Sequence, residues 1–191
     1  MSTRQDEVTA VYFAPFVSSP LLARSSSPTT PTLHAPFDGV VAPPRATAAQ
    51  PLRMTDYQAL LERAQDEALG LCGLDVAEAA ARDEALVALE TRVTHHRPLR
   101  AEEQVRITLH LLACDDSRLH GVFSIHLAAG GELVATAEQV IQHVSLVDAQ
   151  PLPFRPAVRQ ALADMLSAHA RLPRPQSLGR GLAPYAAPTL N

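Results

Sequence analysis

Glu62, Asp66 and Glu67 fall within one segment whose apolar residues recur at helical spacing. A carboxylate held beside a reacting group can take a proton from water or attack an acyl carbon. Its ordinary alternative here is a solvated helix face. Asp56 stands where that helix should begin, a position that suits a cap as well as a base. Glu90 interrupts an apolar strand and Arg97 follows it closely, so the two could orient each other beside a substrate channel or form a structural ion pair. Of the eight histidines only His95 and His96 are close in sequence. Neighbours on a strand point to opposite faces, which does not suit one metal ion. His110, His120, His126 and His143 lie on successive strand segments without metal-type spacing, so cross-strand pairs are expected and a metal is not. Neither a GxSxG elbow nor a glycine-rich phosphate loop is present.

The elements that must position these residues follow from period. Leu33 should begin the ordered part, and Ala35–Val41 ends in a short strand-like pair. A helix is expected from about Thr55, with Tyr57, Leu60, Leu61, Ala64, Ala68 and Leu71 on its buried face, Thr55 or Asp56 as cap, and Gly70 and Gly73 at its exit. A short alanine-rich helical piece, 76–82, comes next. The period then changes to two: strands are expected at 85–95, 104–113, 118–128 and 132–144. Arg97-Pro98-Leu99-Arg100 and Asp115-Asp116-Ser117 read as turns, and Gly130-Gly131 as a hairpin. Four long strands with tight connections suggest an antiparallel meander. A last helix runs from Pro156 to about Leu172, with Val158, Ala161, Leu162, Met165 and Leu166 as its stripe. The order gives an α+β class: a twisted sheet packed on one long helix.

Composition narrows the function. Hydrophobic residues make up 47% of the 191, enough for one packed domain, while aromatics are 4%. Every basic side chain counted among the 16 is Arg, none is Lys, and they are scattered; the formal net charge is −4. Nucleic-acid binding needs a basic stripe, and none is visible. No apolar run is long enough for a membrane span, and the start is a poor secretory signal. Cytoplasm is expected, with Cys72 and Cys114 as free thiols, although a disulfide between them is open. Residues 1–32 are rich in Ser, Pro and Thr and read as a disordered leader, 33–172 as the domain, and 173–191 as an extended proline-rich tail.

A set of local patterns carries more. They are Ala35-Pro36-Phe37-Asp38-Gly39-Val40-Val41-Ala42-Pro43, Tyr57-x-x-Leu60-Leu61-x-Arg63-Ala64-x-Asp66, Leu89-Glu90 and Arg118-Leu119-His120. To these add His126, Gly131-Glu132-Leu133-x-Ala135-Thr136-Ala137-Glu138-Gln139, His143-Val144, His169-Ala170-x-Leu172-Pro173-Arg174-Pro175 and Gly179-Arg180. In this the chain resembles the 4-hydroxybenzoyl-CoA thioesterase superfamily, and most of all its branch for carnitine catabolism and betainyl-CoA hydrolysis. The resemblance implies a hotdog fold, in which an antiparallel sheet wraps a long helix. It also implies a homodimer or higher assembly joined sheet edge to sheet edge, and hydrolysis of an acyl-CoA thioester with no cofactor.

Family chemistry sits in the loop entering the long helix, usually D-x-N-G-H-x-N, where a carboxylate acts and the helix N-terminus polarises the carbonyl. In the register fixed by Pro43 and Tyr57, this sequence has Thr47 at the carboxylate, Ala49 at the first Asn, Pro51 at the His and Arg53 at the second Asn. None of these supplies a base at neutral pH. Loss of catalysis, a base moved elsewhere, or a local frame error over 44–51 would each give this pattern. Asp56, Glu62 and Asp66 are therefore the catalytic candidates. Arg53, Met54, Tyr57, Glu90 and Arg97 are the candidates for substrate contact. The two functions implied are a thioesterase for a short polar acyl-CoA and an inactive acyl-CoA-binding or assembly module.

Overall fold

The computed structural model describes residues 37–40, 51–175 and 178. The proposed leader, the loop positions Thr47 and Ala49, and most of the proline-rich tail lie outside the described residues. The chain divides into residues 1–30 and 31–191, and every described residue belongs to the second unit.

A five-stranded antiparallel sheet is ordered β1-β3-β4-β5-β2. Its strands are β1 (Phe37–Val40), β2 (Glu84–His95), β3 (Gln104–Cys114), β4 (Arg118–Leu127) and β5 (Leu133–Ser145), with helices α1 (Met54–Gly70), α2 (Val76–Ala80) and α3 (Pro156–His169). Strands β3, β4 and β5 form the expected meander. β2 departs from it: instead of lying beside β3 it pairs with β5 on the far side, Glu84 opposite Ser145 and His95 opposite Ala135. The segment 96–103 must therefore carry the chain from one side of the sheet to the other. Leu99, fully buried, pins that crossing, and its carbonyl accepts the Leu52 N–H at 2.7 Å.

Local chemistry explains the turns. Gly130 and Gly131 have φ of 84° and 70°, which suits residues without a Cβ at the β4–β5 hairpin. Asp115 builds the β3–β4 turn by accepting the Ser117 and Arg118 N–H groups at 2.9 and 2.8 Å.

The core lies between α1 and the sheet. Tyr57, Leu60, Leu61, Ala64, Ala68 and Leu69 of α1 are buried with Ile107, Leu109, Phe123, Ile125, Ala135, Ala137 and Ile141. Leu71, expected on that stripe, is 62% exposed, because α1 ends at Gly70 and the chain turns so that Cys72 and Leu74 point inward instead. From α3, Val158, Leu162 and Met165 join the same cluster, with Ala161 and Leu166 at its margin. Both cysteines are free thiols. Among the described residues no helix is long and apolar enough to cross a membrane.

Candidate functional site

Where α1 begins, the sheet ends. Pro51 bridges to Arg100, so the entering strand of chain is fastened beside the crossing segment before α1 starts at Met54. The two stretches leave a cavity of about 390 Å³. Pro51, Leu52, Met54 and Tyr57 form the helix side of its wall, and His95, His96, Arg97 and Pro98 the sheet side.

The sequence alternation put His95 and His96 on opposite faces, yet both line this cavity. β2 ends at His95 and the chain bends at His96, so the two-residue period stops there. The Tyr57 ring meets the His95 ring edge to face at 4.5 Å. His96 Nε2 lies 3.5 Å from Thr136 Oγ1. Burial pushes the Tyr57 phenol above its ordinary value, against the opposing pull of a Leu99 backbone hydrogen bond and the Arg97 charge. Tyr57 is thus a neutral phenol and a polar wall, not a base.

Arg97 does not pair with Glu90. Its guanidinium binds Glu103 at 2.8 Å and Glu132 at 3.2 Å, joining the crossing segment to the β4–β5 hairpin. Glu90 is exposed, follows the bulge at Leu89 and does not line the cavity. The crossing explains this: Arg97 has left the strand and turned toward groups distant in sequence. Hydrogen bonding to Arg97 holds the Glu103 carboxyl below its ordinary value, even against partial burial.

The three catalytic candidates are dispersed. Asp56 faces the helix entrance, where its Oδ2 accepts the Arg53 N–H at 2.8 Å and stands 3.7 Å from the Arg53 guanidinium. That is the capping role. Glu62 is exposed and accepts a hydrogen bond from Gln58 at 3.2 Å. Asp66 lies further along α1 on a different cavity, its carboxyl raised by burial and then by Glu62, Glu67 and Asp75. Among the described residues no carboxylate lines the Tyr57 cavity. Arg53 is exposed at the mouth of α1, next to Met54.

Nor do the strand histidines converge. His120 contacts Glu138 at 3.0 Å, His126 lies 3.1 Å from the Gly131 carbonyl, and His110 packs against His169. Among the described residues no group of three or more metal-ligating side chains occurs.

At the start of α1 the Asp56 N–H reaches the Arg53 carbonyl at 2.9 Å, while the N–H groups ahead of it have no acceptor one turn back and carry the positive end of the helix. They border a cavity walled by a phenol, two imidazoles and a guanidinium. Such a site suits an acyl carbonyl or another electron-rich oxygen.

A family model described as "Thioesterase-like superfamily" matches residues 49–162. A betainyl-CoA thioesterase from Pseudomonas aeruginosa (strain PAO1) is 30% identical over 135 residues, covering 70% of this chain and 85% of that protein. An L-carnitine dehydrogenase/betainyl-CoA thioesterase from Rhizobium meliloti (strain 1021) is 32% identical over 124 residues, 65% of this chain; the match spans only 25% of that longer protein. In fold, a Staphylococcus aureus protein solved in complex with CoA superposes with a TM-score of 0.69 at 17% identity, covering 78% of this chain and 94% of that one. A 1,4-dihydroxy-2-naphthoyl-CoA thioesterase from Synechocystis gives 0.59 at 15% identity, with 68% and 95% covered. The sheet order, the long helix against it and these superpositions are those of the hotdog arrangement.

Proposed function

This chain belongs to the thioesterase-like superfamily, and on that premise we propose that it hydrolyses the thioester of a short, polar acyl-CoA in the cytoplasm. The observation that carries the proposal is the cavity at the start of α1, with Tyr57, His95, His96 and Arg97 around the helix N-terminus. The thioester carbonyl takes the helix N–H groups, whose partial positive charge stabilises the developing oxyanion. With Thr47, Ala49 and Pro51 at the family's polar positions, the proton from water goes to His95 or His96. Imidazole is the side chain suited to that transfer at neutral pH. Arg97, Arg53 and Met54 border the acyl-CoA.

One observation favours the second reading, a binding module that has lost hydrolysis: no described carboxylate lines the cavity. A panel of acyl-CoA substrates with a thiol reagent separates the two. Turnover above background that falls ~100-fold or more in His95→Gln or His96→Gln supports hydrolysis by imidazole. CoA binding without turnover leaves the module. If only Thr47→Asp, Ala49→Asn, Gln50→Gly and Pro51→His together restore turnover, the loop alone was lost.

We also infer a homodimer. Among the described residues β2 has β5 on one side and no strand on the other, and Val87 and Leu89 on it are exposed. Sedimentation showing only monomer at micromolar concentration counts against it.

A further inference from the structure

We propose that the molecule carries a second small-molecule site, at the opposite end of α1, that holds a small organic ammonium ion. A separate cavity of about 200 Å³ opens between the last turns of α1, α2, the start of β2 and the end of β5. Asp66 and Glu84 line it together with His143, and Leu74, Leu86 and Leu146 form much of its apolar wall. Nine residues of helix separate Asp66 from Tyr57, about 14 Å at ~1.5 Å per residue, so the two cavities are distinct.

His143 is the residue that points to a ligand. It is 2% exposed. Its ring is stacked on Phe154, planes 8° apart and centroids 5.3 Å apart, so it cannot easily turn. Its Nδ1 is 2.9 Å from the Leu152 carbonyl. A carbonyl only accepts, so Nδ1 carries a hydrogen and Nε2 is the ring atom left to face Glu84. That Nε2 is buried without a hydrogen-bond partner. The closest charged atom is Glu84 Oε2 at 3.5 Å, itself held by Arg82 Nε at 3.2 Å. Nε2 and the carboxylate thus stand beside each other beyond ordinary hydrogen-bond length, and Nε2 has no other partner. Buried polar atoms in folded proteins are rarely left in that state, and an N–H group entering the cavity would satisfy it.

Charge selects the donor. Asp66 and Glu84 line the walls, and Glu62, Glu67 and Asp75 act on Asp66 from nearby. An anion is repelled, whereas an ammonium ion is attracted. The apolar wall sets the rest: a cavity of about 150 Å³ accommodates benzene, so this one suits an amine with a body of one ring or a short branched chain. Leu146 and Val76, 58% and 50% exposed, form an apolar mouth through which it enters.

Benzylammonium is the probe, with toluene and benzoate as the controls that lack the donor and reverse the charge. Each is titrated into the full chain while the methyl resonances of Leu74, Leu86 and Leu146 are followed. Benzylammonium should shift all three saturably, bind at least tenfold tighter than toluene, and exceed benzoate by more. Glu84→Gln should weaken it tenfold or more. Ala80→Phe, which fills the mouth from an exposed position on α2, should abolish binding and leave the fold intact. Equal binding of toluene and benzylammonium would mean an apolar hole only, and absence of methyl shifts would mean that water alone occupies it; either overturns the proposal. The readout is binding, so the outcome does not depend on whether thioesters are hydrolysed.

Discussion

Tyr57 and His95 stand on different elements, α1 and β2, and their rings meet edge to face with planes at 73°. The contact ties the first turn of the helix to the last residue of the strand. Tyr57 is 2% exposed. Its truncation in Tyr57→Ala removes core volume as well as this contact, and should cost about 3–5 kcal/mol in urea unfolding. Tyr57→Phe keeps the ring and loses only the hydrogen bond to the Leu99 backbone, so about 1 kcal/mol is expected. Equal losses for the two variants would mean that the ring contact contributes nothing.

Gly121 in β4 is a matter of space. A Cβ there would lie 2.8 Å from Leu109 Cδ1 and 3.3 Å from the His110 carbonyl oxygen. The leucine can give way only into a packed core. Gly121→Ala should destabilise by about 1–3 kcal/mol through overpacking, measured by chemical denaturation. A neutral result would mean that Leu109 has a second rotamer to occupy.

His169, 1% exposed at the end of α3, accepts the Leu111 N–H on its Nδ1 at 2.9 Å. Among the described residues β1 pairs with β3 at Gln104–Ile107, and α3 meets the same strand further along, at Leu111. His169→Phe preserves bulk and leaves the Leu111 amide without an acceptor, for an expected loss of about 1–3 kcal/mol. Amide exchange at Leu111 should accelerate by more than exchange at its neighbours. Uniform acceleration along β3 would point to global destabilisation instead.

Asp115 makes stability depend on pH. Burial raises its carboxyl, but hydrogen bonds from Arg118 Nε at 2.7 Å and from the Ser117 and Arg118 N–H groups outweigh that and hold it below the ordinary value. A carboxyl with a lowered folded-state pKa adds stability that is complete above the ordinary Asp range, about 3.9, and is lost as pH falls through the folded value. Asp115→Asn should therefore be less stable than the parent at pH 7, by about 1 kcal/mol or less because the side chain is partly exposed. The gap should close below about pH 4. A gap that stays constant from pH 7 to 3 would assign the effect to the amide and not to the charge.

Removal of residues 1–32 should leave the melting temperature within about 5 °C of the full chain. The Ser/Pro/Thr-rich composition offers little apolar surface to bury. A larger drop, followed by calorimetry, would mean that the segment contributes to the domain.

The sequence revealed the elements better than their neighbours. β3 alternates visibly because Val105, Ile107, Leu109 and Leu111 face the core while Arg106 and Thr108 do not. β5 is buried from Val134 to His143 without a break, so polar residues such as Thr136, Glu138 and Gln139 fall on a strand with little solvent contact, and alternation reports length there but not orientation. Strand order is a long-range property. Nothing in the spacing of β2 says that its partner is β5 and not β3. The site suffered from the same limit. Met54, Tyr57 and Arg97 line one cavity, and His95 and His96 line it with them only because β2 ends between the two histidines. Glu90 and Arg97 are close in sequence, yet the crossing segment turns Arg97 toward Glu103 and Glu132.

The pairing of β2 with β5 also sets an order of events during synthesis. Each β2 residue meets a partner about 40–60 residues downstream, which a ribosome adding ~5–20 residues per second delivers some 2–12 seconds later. Through that interval Val87 and Leu89 lie on a strand with neither of its edges occupied. A nascent chain stalled before Leu133 has β3 and β4 to zip together but nothing to receive β2. Such a chain is a better client for a chaperone than the finished protein, and slow codons are least welcome between β4 and the end of β5.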